Sequence, residues 1–197
     1  MKIEELKQKG NVTVTEVKNG CVKVSADKGF ILKGDDTYTS EIYCDKDAEL
    51  QGYEVVAYSD YLRAENKKKY EGKTLEEAKE MLLAEIDAYD TSSAVNGFAL
   101  NDKQRWLDVD LRRSLSYSTN ILKEDGEKTV DIWFDTECET MDIDNALYML
   151  KELEVYAKQT NNVTHQHKAE VMALTSIEDV EAYDVTKGYP KKLVFSF

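Results

Sequence analysis

The chain has 197 residues, with 26 Lys plus Arg against 39 Asp plus Glu and a formal net charge of −13. That balance argues against binding nucleic acid or an anionic membrane through charge. A hydrophobic share of 42% with 12 Tyr is more than a disordered chain carries. No apolar run approaches the ~20 residues of a membrane helix. The start, MKIEELKQKG, has no apolar segment of a secretory signal, so a soluble protein made in the cytoplasm is expected.

The first 72 residues read as β. Val12, Val14 and Val17 lie in a Thr/Val-rich run, and Cys21 to Val24 has strand composition. Asn19-Gly20 between them signals a hairpin. Phe30–Lys33, Tyr38–Cys44 and Tyr53–Tyr58 are further strands, with turns expected at Gly34-Asp35-Asp36 and Gln51-Gly52. Together they form a meander of about five short strands. Ser59 to Tyr70 is expected to be helical. The run Lys67-Lys68-Lys69 then complements the negative end of that helix, which outweighs an anion site.

The character changes near Gly72. Residues 1–72 hold 14 acids and 12 bases, while residues 73–197 hold 25 and 14. Thr74 with Glu77 forms a capping box. Leu75, Ala78, Leu82, Ile86 and Tyr89 line one helical face. A hairpin follows, with strands Val95–Leu100 and Lys103–Leu107 and a turn at Asn101-Asp102. Asp108 caps a helix to about Leu122, and Thr129–Asp135 is a strand. Asp142 opens a helix with the stripe Ile143, Ala146, Leu147, Leu150, Leu153 and Ala157. A separate helix is expected over 163–174 and a short one after Ser176, with a closing strand over 193–197.

The reading is therefore α+β. A small β-meander domain of residues 1–72 precedes a domain of residues 73–197, built from about four helices on a small antiparallel sheet. The first serves attachment or oligomerisation.

The chemistry-bearing residues form no recognisable centre. Cys21, Cys44 and Cys138 are far apart in the chain. No CxxC pair is present, so free buried thiols are expected rather than zinc ligands. Asp131, Asp135, Glu137, Glu139, Asp142 and Asp144 fall in a stretch without a base, as a hard cation would want. Alternate acids on a wet strand face, an N-cap and a first-turn acid explain the same pattern and are preferred. His165 and His167 point to nearly opposite sides of a helix and cannot share a metal there. GxSxG, P-loop and GxGxxG motifs are absent from the sequence. No catalytic, cofactor or metal residue is assigned. Trp106, Trp133 and Phe98 are expected in an aromatic core. Arg105, Arg112 and Arg113 are expected to neutralise internal carboxylates. Tyr38, Tyr43 and Tyr58 are the candidates for a contact surface.

Four stretches of the second part share a pattern. They are Ala88-Tyr89-Asp90-Thr91-Ser92-Ser93-Ala94-Val95-Asn96-Gly97-Phe98, Trp106-Leu107-Asp108 with Arg112, Trp133 followed by the Leu150–Ala157 helix and His167-Lys168, and Ala182-Tyr183-Asp184-Val185-Thr186-Lys187-Gly188-Tyr189-Pro190. In this order residues 74–197 resemble a family of uncharacterised proteins of tailed bacteriophages and prophages, including those of Bacteroides-like hosts. It is a domain of unknown function found near tail and tail-fibre genes. The family has no established active site, so no catalytic residue carries over. The resemblance implies a virion structural protein: a tail, fibre-base or capsid-attached component made in the host cytoplasm. It would act on other virion proteins, as a homo-oligomer, without nucleic acid or membrane. A tail-fibre assembly chaperone is the runner-up. A glycan-acting tail enzyme is third.

Overall fold

In the computed structural model the described residues are 2–18, 20–34, 37–50 and 52–197. The turns expected at Asn19, Asp35-Asp36 and Gln51 lie outside them. The fold is α+β, and the chain divides into two units. One holds Met1–Ala78 and Thr175–Asp184, the other Lys79–Leu174 and Val185–Phe197. Residues 73–78 and 175–184, assigned to the C-terminal domain from sequence, thus group with the first unit. No helix among the described residues is long and apolar enough to cross a membrane.

The first unit opens with a short helix, α1 (Ile3–Gln8), which sequence reasoning did not anticipate. Its Ile3 and Leu6 are buried. The strands β1 (Val12–Lys18), β2 (Cys21–Ala26) and β5 (Glu41–Asp45) form one antiparallel sheet in the order β1-β2-β5. The strands β3 (Phe30–Lys33), β4 (Tyr38–Thr39) and β6 (Glu54–Ala57) form a second, in the order β4-β3-β6. The expected meander is therefore two small sheets. The run Tyr38–Cys44 breaks at Ser40, and its halves join different sheets. Val14 opposes Val24, and Val24 opposes Ile42, so period-2 apolar positions meet on one face. Leu6, Val22, Val24, Leu32 and Leu50 form the core there.

The helix α2 (Tyr58–Lys69) follows β6, with its three lysines in the last turn, where the backbone carbonyls favour cations. The short helix α6 (Ile177–Glu181) packs against it. Ser176 caps α6: its hydroxyl accepts from Asp179 N at 3.2 Å.

In the second unit, α3 (Leu75–Thr91, whose first four residues count with the first unit) buries Ala78, Leu82 and Ile86. The hairpin of β7 (Phe98–Leu100) and β8 (Lys103–Arg105) turns at Asn101 and Asp102, with φ of 48° and 65°. Two successive left-handed residues match the right-handed twist of paired strands, and Asn and Asp tolerate that conformation. The closing strand β11 (Val194–Phe195) adds to β7 in parallel, so this sheet is mixed rather than purely antiparallel. A second hairpin joins β9 (Thr129–Phe134) to β10 (Glu137–Asp142). Sequence reasoning saw only acids in β10.

Two helices flank these strands. Asp108 caps α4 (Val109–Glu124), accepting from Leu111 N at 2.8 Å. Asp142 caps α5 (Ile143–Ala173), accepting from Asp144 N at 2.8 Å. The break expected before residue 163 does not exist: α5 is one helix of 31 residues. Gln159, Asn161 and Asn162 are exposed on its outer side, and the inward Thr160 donates to Ala157 O at 3.0 Å. The helix runs on through polar positions that solvent or its own carbonyls satisfy. Phe98, Leu100, Ile132, Met149, Leu150 and Leu153 lie at the centre of this unit's core.

Candidate functional site

Strand alternation builds the most prominent surface feature. Val130, Ile132 and Phe134 point into the core of the second unit, which forces Asp131 and Trp133 outward. Trp133 is 60% exposed. This corrects the expectation of two core tryptophans. Phe98 is fully buried, and Trp106 is half-buried against the core. Both tryptophans line an open groove of about 780 Å³. The loop after α3, strand β8, the first turn of α4, the end of β9 and Lys192 complete it.

Trp106 neighbours a fixed arginine. The Arg112 guanidinium lies 5.2 Å from the Trp106 ring centre. It is buried, with Nε donating to Glu154 Oε1 at 2.7 Å and Nη1 to the Leu107 carbonyl at 2.5 Å. A buried, always-charged fork with an anion, a carbonyl and an indole face around it locks the ring. Arg105 lies over Phe134, 5.1 Å from its centre, and pairs with Glu137 and with Glu139, the latter at 3.4 Å. Lys103 adds an ion pair to Glu137 at 3.0 Å. These donors hold the Glu137 carboxyl down at about 2, with the Arg105 bond as the largest cause. The arginines named from sequence thus meet carboxylates, but mostly exposed rather than internal ones: Arg113 lies 4.0 Å from Asp110 at the surface.

A smaller cleft of about 230 Å³ adjoins the groove and shares Asn96, Trp106 and Asp108 with it. Beyond it lies a buried polar network. Thr164 Oγ1 is 2.7 Å from Asp90 Oδ1 and 2.9 Å from the Tyr189 hydroxyl. Tyr189 stacks on His167 at 5.6 Å and meets Tyr89 edge-on at 5.2 Å. His167 Nε2 lies 2.7 Å from the Lys187 carbonyl, which only accepts, so that nitrogen carries the proton. The Tyr156 hydroxyl donates to Val95 O at 2.9 Å. Burial raises the Tyr156 and Tyr189 hydroxyls above their ordinary value. Lys168 pairs with Asp87. The segments around residues 88–98, 106–112, 164–168 and 185–190 thus converge, although they are far apart in the chain. His165, by contrast, is exposed.

The acids of residues 131–144 are spread over separate tasks. Asp131 accepts from Thr140 at 2.6 Å, Glu137 and Glu139 hold Arg105, Asp142 caps α5, and Asp144 pairs with Lys123 at 2.6 Å. Among the described residues no three His, Cys, Asp or Glu side chains group as metal ligands do.

In the first unit, Tyr38 and Tyr58 come together through Tyr61, at 4.5 and 5.7 Å between ring centres. Tyr43 lies on the other sheet, 59% exposed, and donates to Glu41 at 3.1 Å. The three tyrosines named from sequence therefore occupy two places. Burial of the free thiols does not hold: Cys138 is exposed, and Cys21 and Cys44, on neighbouring strands, are half-buried. Cys44 opposes Val22 rather than Cys21, which puts the two thiols on opposite faces. Burial raises the Cys44 thiol above its ordinary value.

Sequence reasoning missed Asn96, Gln104 and Lys192 as groove residues. For Trp133 the signal was present: three inward apolar residues at alternate positions leave it only the outer face.

No family model matches the chain, and neither the curated proteins nor the solved structures contain a significant match.

Proposed function

We propose that this chain is a bacteriophage virion component that works by contact rather than by turnover. The first unit attaches it to other virion proteins or to further copies of itself, and the second presents the Trp133 groove. The observation that carries the contact reading is Trp133: a large indole 60% exposed at the edge of an open groove. Tryptophan is enriched at binding hot spots. The virion setting rests on the resemblance of residues 74–197 to tailed-phage proteins. The attachment role rests on exposed Tyr43 and on the half-buried pair Tyr38 and Tyr58.

Density-gradient purification of particles from the phage or prophage that encodes the chain, followed by mass spectrometry, tests the reading. The chain is expected in finished particles in a fixed ratio to other structural proteins. A chain present in the lysate and absent from particles would overturn it and favour an assembly chaperone.

A further inference from the structure

The chemistry of the groove names its ligand. Of its charged residues, Arg105 is cancelled by Glu137 and Glu139. Asp108 accepts from Leu111 N and keeps its charge. That leaves Lys192 against Asp108 and Asp135, and neither Lys192 nor Asp135 has an ion-pair partner among the described residues. The groove thus has no positive excess, in a chain of net charge −13. Its other polar groups are a hydroxyl and two carboxamides, from Ser93, Asn96 and Gln104. Carboxamides and hydroxyls both donate and accept, and so match alcohol groups rather than ions. Trp133 adds a flat apolar face.

Lys192 lies close over the Gly97 backbone: a Cβ built there would be 3.4 Å from Lys192 Nζ, an ordinary contact.

From these features we infer that the groove binds a neutral oligosaccharide, without cleaving it. A pyranose ring has one face of C–H bonds, which stacks on an indole, and a rim of hydroxyls, which carboxamides and single charges bond. Trp133 is the platform, and Asn96, Gln104, Asp135 and Lys192 reach the rim. The adjoining cleft beyond Trp106 extends the surface past a single ring. The main groove, at about 780 Å³, is in the size range of ligand sites, roughly 300–1,000 Å³. An acidic glycan would set its charges against Asp108 and Asp135 with only Lys192 to balance them. Nucleic acid is opposed by the net charge.

This inference rests on the groove being a binding surface, but its test does not depend on virion incorporation. The full-length protein is applied to an array of neutral and acidic oligosaccharides. The best neutral ligand is then titrated calorimetrically against wild type, Trp133→Ala, Gln104→Ala and Tyr148→Ala. Neutral glycans are expected to bind. Loss of the indole platform should weaken binding by about tenfold. Tyr148, an exposed aromatic outside the groove, should be silent on substitution. Gln104 is exposed, so its truncation reports on ligand contact and not on folding. Absence of any bound neutral glycan overturns the inference. So does a preference for acidic glycans, or Trp133→Ala binding as wild type does. Each of these outcomes leaves the particle analysis to stand by itself.

Discussion

Thr164 Oγ1 lies 2.7 Å from Asp90 Oδ1, although 74 residues separate them. A threonine hydroxyl has one hydrogen. Given to the carboxylate, it leaves the oxygen to accept from the Tyr189 hydroxyl at 2.9 Å. The result is a directed chain, Tyr189 to Thr164 to Asp90, which ties α3, α5 and the C-terminal stretch together within the second unit. Thr164 is buried, so the chain is shielded from competing water.

Thr164→Val keeps the shape and removes the contacts of the hydroxyl with Asp90, Tyr189 and the Thr160 carbonyl. It strands the half-buried Tyr189 hydroxyl and should cost about 1–3 kcal/mol in denaturant melts. Thr164→Ser keeps the hydroxyl and loses one methyl, about 1 kcal/mol or less. Equal costs for the two variants would show that packing, not the hydrogen-bond chain, matters at this position.

The two tryptophans should behave differently. Trp133→Ala is expected to change stability by about 0.5 kcal/mol or less, because its ring is mostly in water. Trp106→Ala should cost about 2 kcal/mol. That is roughly half of a full core truncation, since the ring is half-buried and stacked under Arg112. Equilibrium melts of both variants check this. A large loss at Trp133 would mean its ring is covered in solution.

These differences mark where the sequence was legible. Capping residues announced themselves: Thr74, Asp108, Asp142 and Ser176 each stand at a helix start, since their bonds are local. So did strands with period-2 apolar spacing. Trp133 was misread because residue type was weighed above the alternation of its own strand. The continuity of α5 was missed because its local sequence does not tie the stripe ending at Ala157 to residues 163–174, and the contacts of Thr164 with Asp90 and Tyr189 appear only in the fold. The groove itself was not legible. Ser93, Asn96, Gln104, Trp133 and Lys192 have no common spacing, and only the packing of two hairpins and a loop assembles them.

The Arg105–Glu137 pair should leave its mark on acid stability. The folded Glu137 carboxyl sits at about 2, below its ordinary 4.5, because Arg105 and Lys103 stabilise the charged form. The unfolded chain therefore binds this proton first as pH falls. The contribution is full above pH 4.5 and is lost between about 4.5 and about 2. Glu137→Gln removes it. The difference in stability between wild type and Glu137→Gln should be constant near neutrality and shrink through that window. A difference that stays constant down to pH 2 would show that the pair is screened by solvent.

Asn66 supplies the last test. It is buried on α2 and donates through Nδ2 to the Glu181 carbonyl at 2.9 Å, with the Tyr183 carbonyl at 3.5 Å. Both acceptors belong to the 175–184 stretch, which returns to the first unit between the two segments of the second, Lys79–Leu174 and Val185–Phe197. Val180 on α6 is fully buried, so an apolar anchor and the Asn66 clamp both hold the stretch. Asn66→Ala removes the clamp without overpacking and leaves a carbonyl unpaired, a cost of about 1–3 kcal/mol. The loss should be local first. Hydrogen exchange should quicken at residues 177–183 before it changes in the core around Phe98 and Leu150, because segments with few anchors open at lower free energy than cores. Uniform acceleration across both units would show instead that the returning stretch unfolds only together with the rest of the chain.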